Sequence, residues 1–284
     1  MTSTTHDVPV ARVVPPDGGV YDVAGEAPSP PIPVEVTVVE TDRGDIWELA
    51  PDPMDGASRV LLREVAAWAA EWAPDGRARL VVDVPNAVAA ASGFLDPGAA
   101  RMLPVVAATQ PGERLAEEML TVWLAVVAAG GAVGFRREAT AAQIRPVLER
   151  QLDATAQGRA VLVTTRDADA ALLGFGWWDV AANPLFAHVA HLSRFQVRPE
   201  SQGGNIGRVQ MAGMHRIARG LPGVELCELA YRSGTGVSRF YDRCGYVEVG
   251  RRPGTVRVAP GDDRDSVLML RRVDGGELRY DGGS

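Results

Sequence analysis

The chain contains no lysine, and all 29 of its basic residues are arginine. This excludes a catalytic or self-acylated lysine. Cysteine is nearly absent, with Cys227 and Cys244 the only two. That argues against a disulfide framework and suits a reducing cytoplasm. The four histidines, His6, His188, His191 and His215, and the two cysteines show no metal-ligand spacing, so no zinc site is readable. No apolar run approaches the length of a membrane span, and the start MTSTTHDVPV has no signal-peptide pattern. Excess positive charge is also missing. A net charge of −7 argues against a nucleic-acid footprint. What the chain does have is aliphatic bulk: 46% hydrophobic content in 284 residues suffices for one large or two modest domains.

Residues 1–33, rich in proline, glycine and small polar residues, read as a flexible or extended leader. Order is expected from Val34, where VEVTVVE and DIWELA form two strands around a turn at Thr41 to Gly44. Ser58–Trp72 is an amphipathic helix, Arg79–Val84 a strand and Asn86–Ser92 a short helix. Arg114–Ala129 is a very apolar helix, too short to cross a bilayer. A fresh α/β pattern starts near Gly131. It has a strand at AVGFRR and a helix capped by Thr140, with Gln143 at capping-box spacing. A hairpin follows around Arg166 to Asp169, then a strand from about Ala187 to Val197. Downstream are a strand at 224–231, a short helix at 237–243, a strand at 246–251 and a last strand at 266–273. An Arg- and Asp-rich connection precedes that last strand, and a tail closes the chain.

The most informative stretch is Leu192–Arg219, LSRFQVRPESQGGNIGRVQMAGMHRIAR. It reads as a strand, a turn rich in Gly, Asn and Gln, and an amphipathic helix. Ile206, Val209, Gly213, Met214 and Ile217 form its apolar stripe, with Arg208, His215 and Arg219 opposite. The turn offers backbone N–H groups from Gly203 to Gly207 where the helix begins. That end carries unpaired donors and the positive end of the helix dipole, which suits a phosphate. Glycines also let a ligand approach closely. By itself this hexapeptide is weak, since a capped surface turn looks much the same.

A second anchor lies downstream: Phe240-Tyr241, then Gly245-Tyr246, followed by Val247-Glu248-Val249-Gly250. Together the two stretches resemble the GNAT superfamily of N-acyltransferases. Gln202-Gly203-Gly204-Asn205-Ile206-Gly207 is similar to its Q/R-x-x-G-x-G/A loop, and the later segment to its F-Y-x-x-x-G-F/Y signature. The resemblance covers roughly Gly131–Val273. GYVEVGRRPG also resembles superfamily acetyltransferases that inactivate small amine toxins. Three positions depart from the pattern. Asn205 stands at the first motif glycine, where Asn best tolerates left-handed backbone. Gly234 stands where the second motif often has Asn, and Val237 where it often has Ala. In the first half, Pro51 to Arg59 and NAVAAASGF echo the same order as a degenerate, truncated GNAT-like repeat. They lack the glycine-rich loop, and Ala89 replaces the tyrosine. A small α/β domain similar by chance is the alternative.

The resemblance implies an α/β fold, with a GNAT-type mixed central sheet flanked by helices and a smaller α/β domain before it. The implied domains are a disordered leader at 1–33, the small domain at 34–112, a connecting apolar helix at 113–130, the GNAT domain at 131–275 and a disordered tail at 276–284. It also implies acetyl-CoA as co-substrate, held by Phe195, Gln196, Val197, Gln202, Gly203, Gly204, Asn205, Ile206, Gly207 and Arg208. The Val197 N–H would polarise the thioester carbonyl. Tyr241 is the candidate general acid toward the departing thiolate. Phe240 beside it is expected to point into the core. His191 is the candidate base, at a position where relatives often have Glu, and an imidazole titrates near neutrality. His188 is three residues earlier on the opposite face. A strand-edge histidine bonded only structurally is the competing reading for both. Trp177 and Trp178 are candidates to line the acceptor pocket, one of them as core. Asp262, Asp263 and Asp265 are either an attractor for a cationic amine or a solvated loop. The expected activity is acetyl transfer to a primary amine of a small molecule, with neither nucleic acid nor membrane as partner. Alternatives are a CoA-binding regulatory or structural protein without turnover, and an N-acyltransferase acting on protein or peptide. A homodimer is an open possibility.

Overall fold

In the computed structural model, residues 105–167 and 169–278 are described continuously. Before them the described residues are the strands named below and helical positions 63, 66, 67 and 70–72. The expected helix at 86–92, His6 and the last six residues, 279–284, lie outside the described residues. The chain divides into two compact units. One comprises Met1–Pro104, Asp167–Ala170 and Gly203–Gly213; the other comprises Val105–Arg166, Ala171–Gln202 and Met214–Ser284.

The first unit carries a seven-stranded sheet. Its strands are β1 (Val10–Val14), β2 (Tyr21–Ala24), β3 (Glu35–Val39), β4 (Ile46–Leu49), β5 (Arg79–Val82), β6 (Phe94–Asp96) and β7 (Arg101–Met102), ordered β2-β1-β3-β4-β5-β7-β6. β1 and β2 lie within the stretch whose composition reads as a leader. β3 and β4 are the antiparallel pair expected around the turn at Thr41 to Gly44.

The second sheet also has seven strands, ordered β13-β14-β12-β11-β10-β9-β8. They are β8 (Val105–Ala108), β9 (Ala160–Arg166), β10 (Leu172–Val180), β11 (Val189–Val197), β12 (Leu226–Arg232), β13 (Val247–Ala259) and β14 (Asp262–Arg272). Only β11 and β12 pair in parallel; every other pair is antiparallel. A parallel pair needs a long crossover. Here it is the helix α3 (Ile206–Arg219). The other α-helices of the continuously described stretches are α1 (Glu113–Ala128), α2 (Ala141–Ala156) and α4 (Ser238–Arg243).

α1 buries Met119, Leu120, Val122, Trp123, Val126 and Val127. It stops at Gly130, whose φ of 90° only glycine accepts readily. α2 starts as read from sequence: the Gln143 side-chain oxygen accepts the Thr140 N–H at 2.9 Å. The two helices share one core cluster with β9 and β10, including Ile144, Leu148, Leu162, Phe175 and Trp177. Trp177 donates its indole N–H to Thr155 Oγ1 at 3.1 Å, and Trp178 donates to the Met214 carbonyl at 2.8 Å. Both tryptophans are fully buried, so neither lines an acceptor pocket. An indole fits a packed interior once its one donor is satisfied.

Three further expectations change. AVGFRR is an irregular turn segment, not a strand, because Gly134 takes φ 91°. The Arg- and Asp-rich connection is itself paired backbone: β13 and β14 run on as one long hairpin closing at Gly261 (φ 79°). His215 is buried, with Nε2 3.1 Å from Tyr246 Oη. The polar face of α3 is therefore covered there rather than solvated. Among the described residues no helix is long and apolar enough to cross a membrane.

Candidate functional site

The site begins where β11 and β12 part. Their parallel register runs from Val189 opposite Leu226 to Leu192 opposite Leu229 and goes no further. β11 nevertheless continues to Val197 and β12 to Arg232. Beyond Leu192 the two strands splay.

A bulge accompanies the splay. Between the pairs Trp177–Ser193 and Phe175–Gln196 the register of β10 and β11 shifts, so Gly176 faces two residues, Arg194 and Phe195. Arg194 takes the left-handed conformation, φ 52°. A Cβ on Gly176 would sit 3.3 Å from the Phe195 Cα and 3.2 Å from the Met214 side chain, so only glycine fits without displacement. Arg194 lies over the Trp123 ring at 5.8 Å. Burial lowers its guanidinium pKa, and the nearby Asp179 opposes that shift.

After the bulge, successive backbone groups again alternate between the two edges of the strand. Arg198 donates its N–H to the Leu173 carbonyl at 2.8 Å, toward β10. Alternation therefore turns the N–H and carbonyl of Val197 to the other edge, on the splayed side. The Val197 carbonyl accepts the Gln202 side-chain amide at 3.1 Å, which fastens the turn to the strand end. Gln196 is a buried side chain, and Phe195 is half-buried against the Phe240 ring at 5.8 Å.

A 3₁₀ turn at Pro199–Ser201 leads into the glycine loop. Gly203 and Asn205 both have positive φ, 84° and 63°. The left-handed geometry that the loop needs is thus held by Asn205 in place of the motif glycine. The helical ladder of α3 starts with the Val209 N–H to the Asn205 carbonyl at 3.1 Å, so Ile206 and Gly207 fall in the first turn, before that ladder. Ile206 and Val209 are buried; Gly207 and Arg208 are half-exposed. Within the first unit, the Asn205 side-chain amide donates to the Arg63 carbonyl at 2.9 Å, and the Arg63 guanidinium donates to the Gly203 carbonyl at 3.2 Å. Sequence reading gave Arg63 no role. Only the fold brings it to this loop, 140 residues away along the chain.

Tyr241 is half-buried on α4, among the rings of Phe240, Tyr231 and Tyr246 at 5.2, 5.7 and 6.0 Å. Desolvation pushes its hydroxyl well above an ordinary phenol, and Cys244 and Tyr231 add to the shift. Phe240 does not enter the core as expected. It is only partly buried, because the six-residue α4 packs its aromatic side against the half-buried Phe195.

His191 faces Glu228 across the parallel pair, Nδ1 to Oε1 3.0 Å, with side chains 42% and 31% exposed. Across β10 its register partner is Asp179, which accepts the Gln151 side-chain amide at 2.6 Å. Ser193, two residues on from His191, also accepts from Gln151, at 3.3 Å. His188 is exposed in the turn before β11, where its carbonyl accepts the N–H groups of Glu225 and Leu226. The three aspartates of the last hairpin are taken by arginines: Asp262 by Arg264, Asp263 by Arg257 and Asp265 by Arg251. They form neither a free acidic attractor nor an open loop. Among the described residues no group of three or more His, Cys, Asp or Glu side chains could hold a metal ion.

A mixed seven-stranded sheet splayed at its one parallel pair, with a crossover helix starting at a Gly/Asn turn, is the GNAT fold. Solved structures agree with that assignment over the C-terminal three-fifths of the chain. A protein described as a phosphinothricin N-acetyltransferase aligns with 60% of this chain and 98% of its own, at 16% identity and a TM-score of 0.50. A protein described as an acetyltransferase from Acinetobacter baylyi ADP1 aligns with 61% and 93%, at 14% identity and a TM-score of 0.51. At the level of sequence, no family model matches the chain, and no curated protein does.

Proposed function

We propose that the protein is an N-acetyltransferase that moves an acetyl group from acetyl-CoA to a primary amine of a small molecule. The observation that carries this reading is the end of the β11–β12 ladder at Leu192 and Leu229, directly before a Gly/Asn turn and a helix start. In this reading the pantetheine arm lies along β11 at Phe195, Gln196 and Val197. The pyrophosphate takes the N–H groups of the turn from Gln202 to Arg208, where the helix dipole favours anions. The Val197 N–H points to the splayed edge and polarises the thioester carbonyl.

The chemistry then balances as follows. His191 takes one proton from the ammonium form of the acceptor and passes it to solvent. The freed amine lone pair attacks the thioester carbon, forming the C–N bond and moving the carbonyl π electrons onto oxygen. Collapse of that intermediate re-forms the carbonyl and breaks the C–S bond. The sulfur leaves with the bonding pair and takes the hydroxyl proton of Tyr241. The remaining extra proton on nitrogen returns to Tyr241 through water. The products are the acetamide, free CoA thiol and one proton in solution. The carboxylates of Asp179 and Glu228 beside His191 favour a cationic acceptor over an anionic one.

The test is release of CoA thiol from acetyl-CoA in the presence of primary amines, with a peptide panel in parallel. Thiol release that depends on a small amine supports the reading. Binding of acetyl-CoA with no amine-dependent thiol release would contradict it, and release with peptides alone would redirect it to a protein acceptor.

A further inference from the structure

We infer that Glu228 is the positioning residue of this site: its carboxylate accepts the Nδ1–H of His191 and so keeps the Nε2 lone pair turned toward the acceptor amine. The inference rests on the acetyl-transfer reading above and adds to it a residue that no motif in the sequence marks.

The geometry is specific. β11 and β12 hold parallel register over four residue pairs only, and His191–Glu228 is the third of them. One further pair, Leu192 with Leu229, separates it from the splay. The carboxylate therefore sits where the two strands are still locked together, within one pair of where they open. The Nδ1 to Oε1 distance of 3.0 Å is a full hydrogen bond. An ionised carboxylate can only accept, so a bond to it requires the proton on Nδ1. The other ring nitrogen is then the acceptor, and which nitrogen that is decides whether an imidazole can act as a base.

The neighbouring charges have contacts of their own. Asp179, opposite His191 on β10, is engaged by Gln151 from α2 at 2.6 Å. Arg194, three residues along β11, lies over Trp123 of α1. With both side chains partly exposed, the hydrogen bond itself adds little stability. Orientation is where Glu228 acts, in the manner of the carboxylate that fixes the tautomer in a hydrolase triad.

The test compares native protein with Glu228→Gln and Glu228→Asp, at full length. Two readouts are taken: the nitrogen chemical shifts of the labelled His191 ring, and kcat and KM with acetyl-CoA and an accepted amine. Glutamine keeps the size but can donate its amide to Nδ1, which lets the proton move to Nε2. The native ring is expected as the Nδ1–H tautomer. Glu228→Gln should populate the Nε2–H form and lower kcat by roughly 10–100-fold, the loss typical when the carboxylate behind a metal-bound histidine is removed. The KM for acetyl-CoA should change less than about threefold, on the same argument. Glu228→Asp, which can still only accept, should keep the Nδ1–H form and recover part of the rate. A native Nε2–H ring, an unchanged tautomer in Glu228→Gln, or a kcat within about twofold of native would overturn the inference. The nitrogen spectra do not depend on turnover. If native protein acetylates no amine while its ring is held as Nδ1–H, the acetyl-transfer reading and the catalytic role fail, and the pairing stands.

Discussion

Tyr241 supplies a proton only if it carries one. Desolvation holds its hydroxyl above the ordinary phenol value, so it stays protonated across the neutral range. Tyr241→Phe keeps the ring among Phe240, Tyr231 and Tyr246 and removes only the donor. General acid catalysis is typically worth about 10²–10⁴-fold, so kcat should fall at least tens-fold while acetyl-CoA affinity changes little. Steady-state kinetics paired with calorimetry read this; a near-native kcat would hand the protonation to water. The same burial has a stability consequence. Tyr241 and Tyr246 are both raised by desolvation in the folded state. Below about pH 10 the hydroxyls are protonated folded and unfolded, and their contribution to stability is whole. As pH rises past about 10, the unfolded chain ionises first, so stability is lost toward alkali. Denaturant midpoints that stay flat from pH 8 to about 11 would contradict this sign. At this scale the sequence placed a motif residue on its element, Tyr241 on the short helix Ser238–Arg243, but did not reach residues whose surroundings come from other elements. His215 lies on the polar face of its helix by periodicity, yet Tyr246, a strand away, covers it. Trp177 and Trp178 were expected to divide between pocket and core, and each instead found an indole partner inside.

Two local elements bear on the proposed site, the β11 bulge and the Gly/Asn turn. The bulge is possible because β10 offers Gly176 opposite Phe195. Gly176→Val would force its side chain into the Phe195 backbone. Overpacking of this kind typically costs about 1–3 kcal/mol, so the melting temperature should drop by several degrees. An unchanged melting temperature would mean that the strands can separate freely there. The turn is tested at Asn205. Asn205→Gly keeps φ near 63° without strain and forfeits the bond to the Arg63 carbonyl. That loss is worth about 1 kcal/mol of stability, with acetyl-CoA affinity kept within a few-fold. Asn205→Val places a β-branched residue in left-handed geometry, and affinity should fall about tenfold or more as the turn rearranges. Equal affinity in both variants would separate the turn conformation from binding. The strand–turn–helix unit was legible because its alternation, its glycines and its helical stripe are all local signals. The splay and the His191–Glu228 pair were not, since register between strands 37 residues apart is a property of the sheet. The long β13–β14 hairpin was hidden for a related reason. Its many charges read as solvated loop, and only pairing shows that Arg251, Arg257 and Arg264 neutralise the aspartates across and along it.

On the scale of the whole chain, five strands of each sheet share one order, while β1, which pairs in parallel with β3, has no counterpart in the second sheet. In the first, β3, β4, β5, β7 and β6 are neighbours, with β4 and β5 the parallel pair. In the second, β10, β11, β12, β14 and β13 follow the same sequence of senses around the parallel pair β11 and β12. The sequence between β4 and β5 carries no glycine run comparable to Gly203-Gly204-Asn205-Ile206-Gly207. A single acetyl-CoA per chain is therefore expected, despite the repeated order. Isothermal titration of the full-length protein with acetyl-CoA, native against Gly207→Trp, tests the central claim most directly. The account predicts one site in the native protein and none in Gly207→Trp, with circular dichroism showing the variant folded. Absence of binding to native protein, or equal binding to a folded Gly207→Trp, would contradict it.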